Sequence, residues 1–201
     1  ILMTTQWGSV AKVVQASLVD GSLTPIHFDL SGANRRNIAS QRVLCVAPDG
    51  SAIVAESDPG RPPTLGAIAA DCLGSGGGGG GGGPVPCRLL ASLPPIQAAA
   101  AAPLLPPGSL PSISYELLNM DPPHGKVRAR VQAILMTPER AVDDGDGDGD
   151  GDTLPLIVVP HGGPHSCTPT AYIPSYAYLC RSGFAVLHVN YRGSTGFGQE
   201  A

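Results

Sequence analysis

The chain predicts an α/β arrangement in its last third, preceded by a β-meander and interrupted by low-complexity insertions. Three observations carry this. Apolar runs at Leu156–Val159 and Phe184–Val189 flank a segment of helical character, which is the order of a βαβ unit. Short β-type runs punctuated by Asp-Gly turns fill Ile1 to about Asp71. Glycine, proline, alanine and an Asp-Gly repeat dominate much of what lies between, and such residues cannot bury enough apolar surface to offset the entropy of ordering them.

In chain order, Val10 to Val19 is rich in β-branched residues and ends at Asp20-Gly21, a turn whose glycine tolerates positive φ. Val43 to Ala47 meets Pro48-Asp49-Gly50, and Ser51 to Glu56 resumes, which reads as a second hairpin. No sustained 3.6-residue periodicity competes. Consecutive hairpins suit a β-meander such as a propeller blade.

The Gly76 to Gly83 homopolymer and the Pro84 to Pro111 stretch are expected to be mobile or locally extended, an insertion in a surface loop. Ala98 to Ala102 has the composition of a helical turn, but Pro94, Pro95 and Pro103 confine it. Order is expected to return with strands at Ser112 to Leu118 and Val127 to Met136. In the second, Val127, Ala129, Val131, Ala133 and Leu135 alternate onto one face. Tyr172 to Arg181 reads as a helix, with Pro174 tolerated in its first turn and Gly183 past its end as a left-handed cap. The strands on either side, within Leu154 to Asn190, should be parallel.

Composition narrows the function classes. Among 201 residues, Gly 27 and Pro 21 together approach a quarter of the chain, which leaves less of it for a core. The formal charge of -4 is misleading, because six of the sixteen acids sit in Asp143 to Asp152 and without them the balance turns slightly positive. Arg35-Arg36 is the only adjacent basic pair and aromatics are 4%, which argues against a nucleic-acid surface. No apolar run reaches the roughly 18 residues of a membrane span. Five cysteines (Cys45, Cys72, Cys87, Cys167, Cys180) are odd in number, irregularly spaced and without a C-x-x-C pair, so reduced thiols in a cytoplasmic setting are expected and a disulfide scaffold or zinc site is not.

Two other signals are set aside. Asp144, Asp146, Asp148 and Gly149 match the opening of an EF-hand loop, but the twelfth position, which needs a bidentate glutamate, is Pro155, and shifting the register by two puts Ile157 there. The Asp-Gly run is read as a solvated acidic linker, and no metal is expected. The polyglycine tract lacks the Gly-Lys-Ser/Thr ending of a phosphate-binding loop, and no cofactor is implied.

The chemistry-bearing segment is Leu154-Pro155-Leu156-Ile157-Val158-Val159-Pro160-His161-Gly162-Gly163-Pro164-His165, a strand running into a paired-glycine turn. Serine hydrolases use this arrangement to present backbone N–H groups to an oxyanion. Attack on an amide carbonyl develops charge on its oxygen, and a fixed donor about 3 Å away contributes roughly 3–4 kcal/mol. Glycine allows close backbone approach and φ values that a side chain forbids. Asn190-Tyr191-Arg192-Gly193-Ser194 repeats the pattern after the next strand. It should lie at the carboxyl edge of the sheet, where open α/β sheets collect ligands. The nucleophile is missing: no serine has glycine at both second-neighbour positions, since Ser182 follows Cys180, Ser194 follows Arg192 and Ser75 follows Leu73. The chain is therefore expected to be a fragment, truncated at both ends, without the catalytic triad.

His161 to Ser166, Gly183 to Val186 and Asn190 to Gln199 together resemble the start of the hydrolase domain in the prolyl oligopeptidase group of serine peptidases, and within it the acylaminoacyl peptidases. The strong likeness covers Leu154 to Gln199, with a weaker one in Ser112 to Pro138 and the first hairpins. The resemblance implies a partial α/β-hydrolase domain, the start of its sheet, over 112–201, with 143–152 as a linker. Residues 1–71 would then end a β-propeller and 72–111 would be a Gly/Pro/Ala-rich insertion. It implies release of N-acylated residues from short peptides, in an enzyme whose full length is compatible with homo-oligomers. A dipeptidyl peptidase or oligopeptidase of the same group is the runner-up. A non-catalytic fragment that keeps the propeller edge as an interaction surface is the alternative from another class.

The same resemblance assigns Gly163 as one oxyanion-hole N–H, with Gly162 and His161 supporting the turn. His161 stands where some relatives carry a tyrosine, and its expected role is structural, fixing the turn through an imidazole hydrogen bond. Tyr191 and Arg192 are candidates for substrate contact, against the plainer reading of Arg192 as a tie between loops. His165 is expected to be a loop residue and His188 a strand residue with its hydrogen bonds satisfied. Ser194, with no base beside it in sequence, is not expected to be nucleophilic.

Overall fold

The computed structural model describes residues 1–30, 39–74, 85–92, 112–120, 131–139, 153–163 and 165–197. The polyglycine tract, Ala98 to Ala102, the Asp-Gly run, Val127 to Arg130 and Pro164 lie outside them. The described part is mostly β-sheet with few helices and divides into two compact units.

The first unit holds two antiparallel sheets. In one, β1 (Leu2–Trp7), β2 (Val10–Ala16) and β3 (Leu23–Ile26) follow in sequence order. The other runs β4 (Ser40–Val46), β5 (Ala52–Asp58), β6 (Arg61–Ile68) and β7 (Arg88–Ser92). Alternation explains β5 and β6, in which every second residue is buried. Val13, Ile26, Phe28, Ala52, Val54, Ile68 and Leu73 form the core. A short helix, α1 (Ala70–Gly74), follows β6 and supplies Leu73 to it.

Both Asp-Gly turns occur, and their aspartates explain where the strands stop. Asp20 Oδ1 accepts from the Ser22 N–H at 3.0 Å and its hydroxyl at 2.8 Å, and Gly21 takes φ 72°. Asp49 repeats this with Ser51 at 2.9 and 2.7 Å, beside Gly50 at φ 86°. The backbone bond from Ser22 leads in holding Asp20 down at about 2, and the Ser51 hydroxyl leads in lowering Asp49. The first turn begins earlier than the β-branched run predicts. β2 ends at Ala16, and Leu18 and Val19 are exposed, because the turn closes from the Ser17 N–H to the Ser22 carbonyl.

Two strands escaped composition. β6 carries Pro62-Pro63 and still pairs, with a bulge between Leu65 and Gly66 where β7 joins it. β7 itself lies in the stretch expected to be mobile or locally extended. It is extended, and its ladder partners on β6 hold it in the sheet.

The second unit is a four-stranded mixed sheet in the order β10-β11-β9-β8. Its strands are β8 (Ile113–Met120), β9 (Val131–Pro138), β10 (Leu156–Pro160) and β11 (Ala185–Asn190). β8 pairs antiparallel with β9, β9 antiparallel with β11, and β11 parallel with β10. The connection between the parallel strands contains α2 (Pro174–Arg181). Pro174 opens this helix, where its missing N–H costs nothing. The other end is a Schellman motif: the Gly183 N–H donates to the Cys180 carbonyl, the Phe184 N–H donates to the Leu179 carbonyl, and Gly183 takes φ 96°. Ala177 and Cys180 of α2 pack with Ile113, Ile134, Met136 and Val186 as the core of this unit.

Candidate functional site

The parallel register brings the two glycine-bearing turns to one edge of the sheet. Pro160 of β10 pairs with Val189 of β11, so the chain leaves both strands side by side, at His161 and at Asn190 to Tyr191. A parallel pair places both carboxyl ends together, and this alone makes neighbours of residues 33 apart in sequence.

Four contacts join the turns. The His161 ring stacks on Tyr191 with centroids 4.3 Å apart and planes at 16°. The Tyr191 hydroxyl donates to the His161 carbonyl at 2.9 Å. His161 Nε2 lies 2.7 Å from Ser194 Oγ, and the Thr195 N–H donates to the Ser166 carbonyl at 2.9 Å. Farther along, the buried Asn190 amide clamps Thr168, accepting from its N–H at 2.7 Å and donating to its carbonyl at 2.9 Å. An alanine there would leave two backbone groups unpaired at a buried position, at a cost of about 1–3 kcal/mol each.

Within the first turn, His161 Nδ1 lies 2.8 Å from the Gly162 carbonyl oxygen. That contact fixes more than a carbonyl. The Gly162 C=O and the Gly163 N–H belong to one planar trans peptide and point in opposite directions, so holding the oxygen against the imidazole aims the N–H away from it. Gly163 is exposed, lies beyond the end of β10, and its N–H has no hydrogen-bond partner among the described residues.

Of the two expected reasons for glycine, one does not hold here. Neither Gly162 nor Gly163 has positive φ. A Cβ on Gly162 would meet nothing within 4 Å, and one on Gly163 would meet the His165 nitrogen at 3.4 Å and His161 Nδ1 and the Tyr191 hydroxyl at 3.6 Å. The backbone does not demand glycine for its own conformation: a Cβ at Gly162 would stand in open space and one at Gly163 in ordinary van der Waals contact, beside an N–H that has no partner among the described residues.

The remaining candidates fall out as follows. Arg192 is exposed, and Gly193 beside it takes φ 90°. His165 is an exposed loop residue. His188 is a buried strand residue, but among the described residues its Nδ1 has no hydrogen-bond partner, and its ring meets the edge of Tyr176 at 4.4 Å. Burial pushes its pKa down to about 4. Ser194 does have a base beside it, although sequence shows none. It is 4% exposed, and its Oγ also lies 2.6 Å from the Tyr191 carbonyl, so the hydroxyl is enclosed in the turn and not presented to a substrate. Burial likewise pushes the Cys87 and Cys180 thiols up to about 11, which keeps them from acting as thiolates near neutrality. Sequence reasoning missed the roles of Asn190 and Ser194, since no local spacing links them to the first turn. Among the described residues no group of metal-ligating side chains is assembled and no helix is long and apolar enough to cross a membrane.

No protein-family model matches the chain. Among curated proteins, the acylamino-acid-releasing enzyme of Sus scrofa is 41% identical over 96 residues, covering 45% of this chain and 12% of that protein. Among solved structures, Pyrococcus horikoshii acylaminoacyl peptidase superposes with a TM-score of 0.60 at 15% identity, over 98% of this chain and 24% of that one. Oligopeptidase B from Trypanosoma brucei gives 0.64 at 12% identity, over 98% and 24%. The chain thus spans 12% of the length of the first curated relative. By sequence over the matched residues and by fold over nearly its whole described length, it is similar to the acylamino-acid-releasing enzymes and to the peptidases of the prolyl oligopeptidase family.

Proposed function

We propose that this chain is part of a serine peptidase that releases N-acylated residues from the N-terminus of short peptides, and that it contributes the oxyanion turn of an α/β-hydrolase domain. In this reading 1–71 end a β-propeller, 72–111 are an insertion, and 112–201 begin the hydrolase domain, with 143–152 a linker within it. The observation that carries it is the Gly163 N–H, outside the sheet ladder, exposed and aimed by the His161 contact to Gly162. A fixed donor of this kind stabilises charge that appears only as the carbonyl is attacked, and so speeds the chemical step more than it tightens binding. His161 and Gly162 support the turn, and the exposed Arg192 is available to a substrate carbonyl at the same edge. Tyr191 is already engaged with His161, so its part is to hold the turn. The five unpaired cysteines support a cytoplasmic setting.

A nucleophile, acid and base would come from residues outside this chain, which has no G-x-S-x-G. The isolated chain should therefore hydrolyse no acetyl-amino-acid chromogenic substrate. Turnover that a serine-directed fluorophosphonate abolishes would overturn this. A second reading, an oligopeptidase or dipeptidyl peptidase of the same family, is favoured by the likeness to oligopeptidase B. An enzyme form carrying the elbow serine separates the two: it should prefer N-acetylated peptides over dipeptidyl substrates with a free amine, and the reverse preference selects the second reading.

A further inference from the structure

His161 presents each ring nitrogen to oxygen. Nδ1 faces the Gly162 carbonyl at 2.8 Å, and Nε2 faces Ser194 Oγ at 2.7 Å. A carbonyl only accepts, so Nδ1 must carry a proton there; otherwise two lone pairs would face each other at hydrogen-bond distance. A neutral imidazole has one N–H, and with it on Nδ1 the other nitrogen is an acceptor and needs a donor.

The donor available is the Ser194 hydroxyl. This hydroxyl has one proton and two acceptors within reach, His161 Nε2 at 2.7 Å and the Tyr191 carbonyl at 2.6 Å. When the ring is neutral the proton goes to Nε2. When the ring is doubly protonated, Nε2–H donates to Ser194 Oγ and the hydroxyl turns to the Tyr191 carbonyl. Both arrangements leave Nδ1–H on the Gly162 oxygen, and neither requires the backbone to move. Ser194 is held in place by its own N–H, which donates to the Tyr191 carbonyl at 3.0 Å, and it is buried, so water does not compete freely for the hydroxyl.

We infer that Ser194 is a positioning residue: its rotating hydroxyl fixes the Nδ1–H state of His161 and, through the Gly162–Gly163 peptide plane, the direction of the Gly163 N–H. The link to catalysis rests on the oxyanion reading above; the link from Ser194 to His161 does not.

The test uses the chain itself, labelled with ¹⁵N in histidine and glycine. At a pH high enough that the ring-nitrogen shifts no longer change, the imidazole is neutral and those two shifts report which nitrogen holds the proton. Wild type should show His161 in the Nδ1–H form. Ser194→Ala should shift it towards a mixture containing Nε2–H and move the Gly163 amide resonance, while Ser194→Thr, which keeps the hydroxyl, should restore both. A neutral Nε2–H form in wild type would overturn the inference, as would a Ser194→Ala spectrum identical to wild type. Should Ser194→Ala fail to fold, Ser194→Gly, which also lacks the hydroxyl, takes its place, and a spectrum identical to wild type there overturns the inference. In an enzyme form that carries the elbow serine, Ser194→Ala should lower kcat about tenfold or more with little change in KM. The expected tautomer shift without any loss of kcat would leave the positioning role standing and sink the oxyanion reading.

Discussion

The two turns at the carboxyl edge of the second sheet look alike as strings of residues and use glycine for opposite reasons. After β11, Gly193 and Gly196 take φ of 90° and 91°, backbone states that side chains rarely adopt. After β10, Gly162 and Gly163 take no such values, and a Cβ would fit at either. One turn spends glycine on its own shape and encloses Ser194. The other leaves the Gly163 N–H without a hydrogen-bond partner among the described residues. A backbone N–H can serve a ligand only where the fold leaves it without an internal partner, and among the described residues the Gly163 N–H is such a donor.

The comparison is broken most directly at Gly163. In an enzyme form that carries the nucleophile, Gly163→Pro removes the N–H and should lower kcat by about 100- to 1000-fold. Gly163→Ala keeps the N–H and should lose far less. Equal activity of the two variants would show that this N–H touches no reacting atom.

A second contrast separates the two histidines. His161 has an oxygen at each ring nitrogen, whereas among the described residues His188 Nδ1 has no hydrogen-bond partner and its ring meets the edge of Tyr176. The folded-state pKa of His188 is lowered from 6.5 to about 4, so in that interval the unfolded chain binds more protons. The stability it represents is fully present above about pH 6.5 and is lost as pH falls towards 4, by up to about 3 kcal/mol. His188→Leu should flatten the pH dependence of unfolding in that window, as read by urea titration at several pH values. An unchanged slope would mean that another group titrates there.

Gly66 in the first unit gives a third use of glycine, forced by occupied space. A Cβ there would lie 2.5 Å from Cys87 Sγ and 2.5 Å from Leu30 Cδ2. Gly66→Ala should destabilise by about 1–3 kcal/mol, and Gly66→Ala with Cys87→Ala should recover part of it, because only the Leu30 clash remains. Additive losses in the double variant would refute that contact.

The smallest effects return to the two turns. Gly193→Ala should cost about 1–2 kcal/mol, all of it conformational, since its Cβ would touch nothing. Gly162→Ala should stay within about 0.5 kcal/mol. Denaturant midpoints that rank these two the other way would reverse the reading of the turns.

Much of this was legible. Pro174 and Gly183 mark the ends of α2 because proline's missing N–H and glycine's positive φ are local properties. Asp20-Gly21 and Asp49-Gly50 mark the hairpins for the same kind of reason. β7 was hidden, because Arg88–Ser92 becomes a strand through the ladder partner that β6 provides, and that pairing does not show in its composition. At the glycine pair the expected positive φ is absent, because backbone dihedrals follow from how the turn meets its neighbours and not from residue type alone.

The sequence by itself determined where chain direction changes and which residue types gather after β10 and β11, since turn chemistry and apolar patterning act over a few residues. Only the tertiary structure decided that Ser194 would face His161, that Asn190 would hold Thr168, and that His188 would be buried without a partner for Nδ1. Those pairings depend on which strands lie parallel and in what register, and register is fixed by packing across a sheet whose neighbours are far apart along the chain.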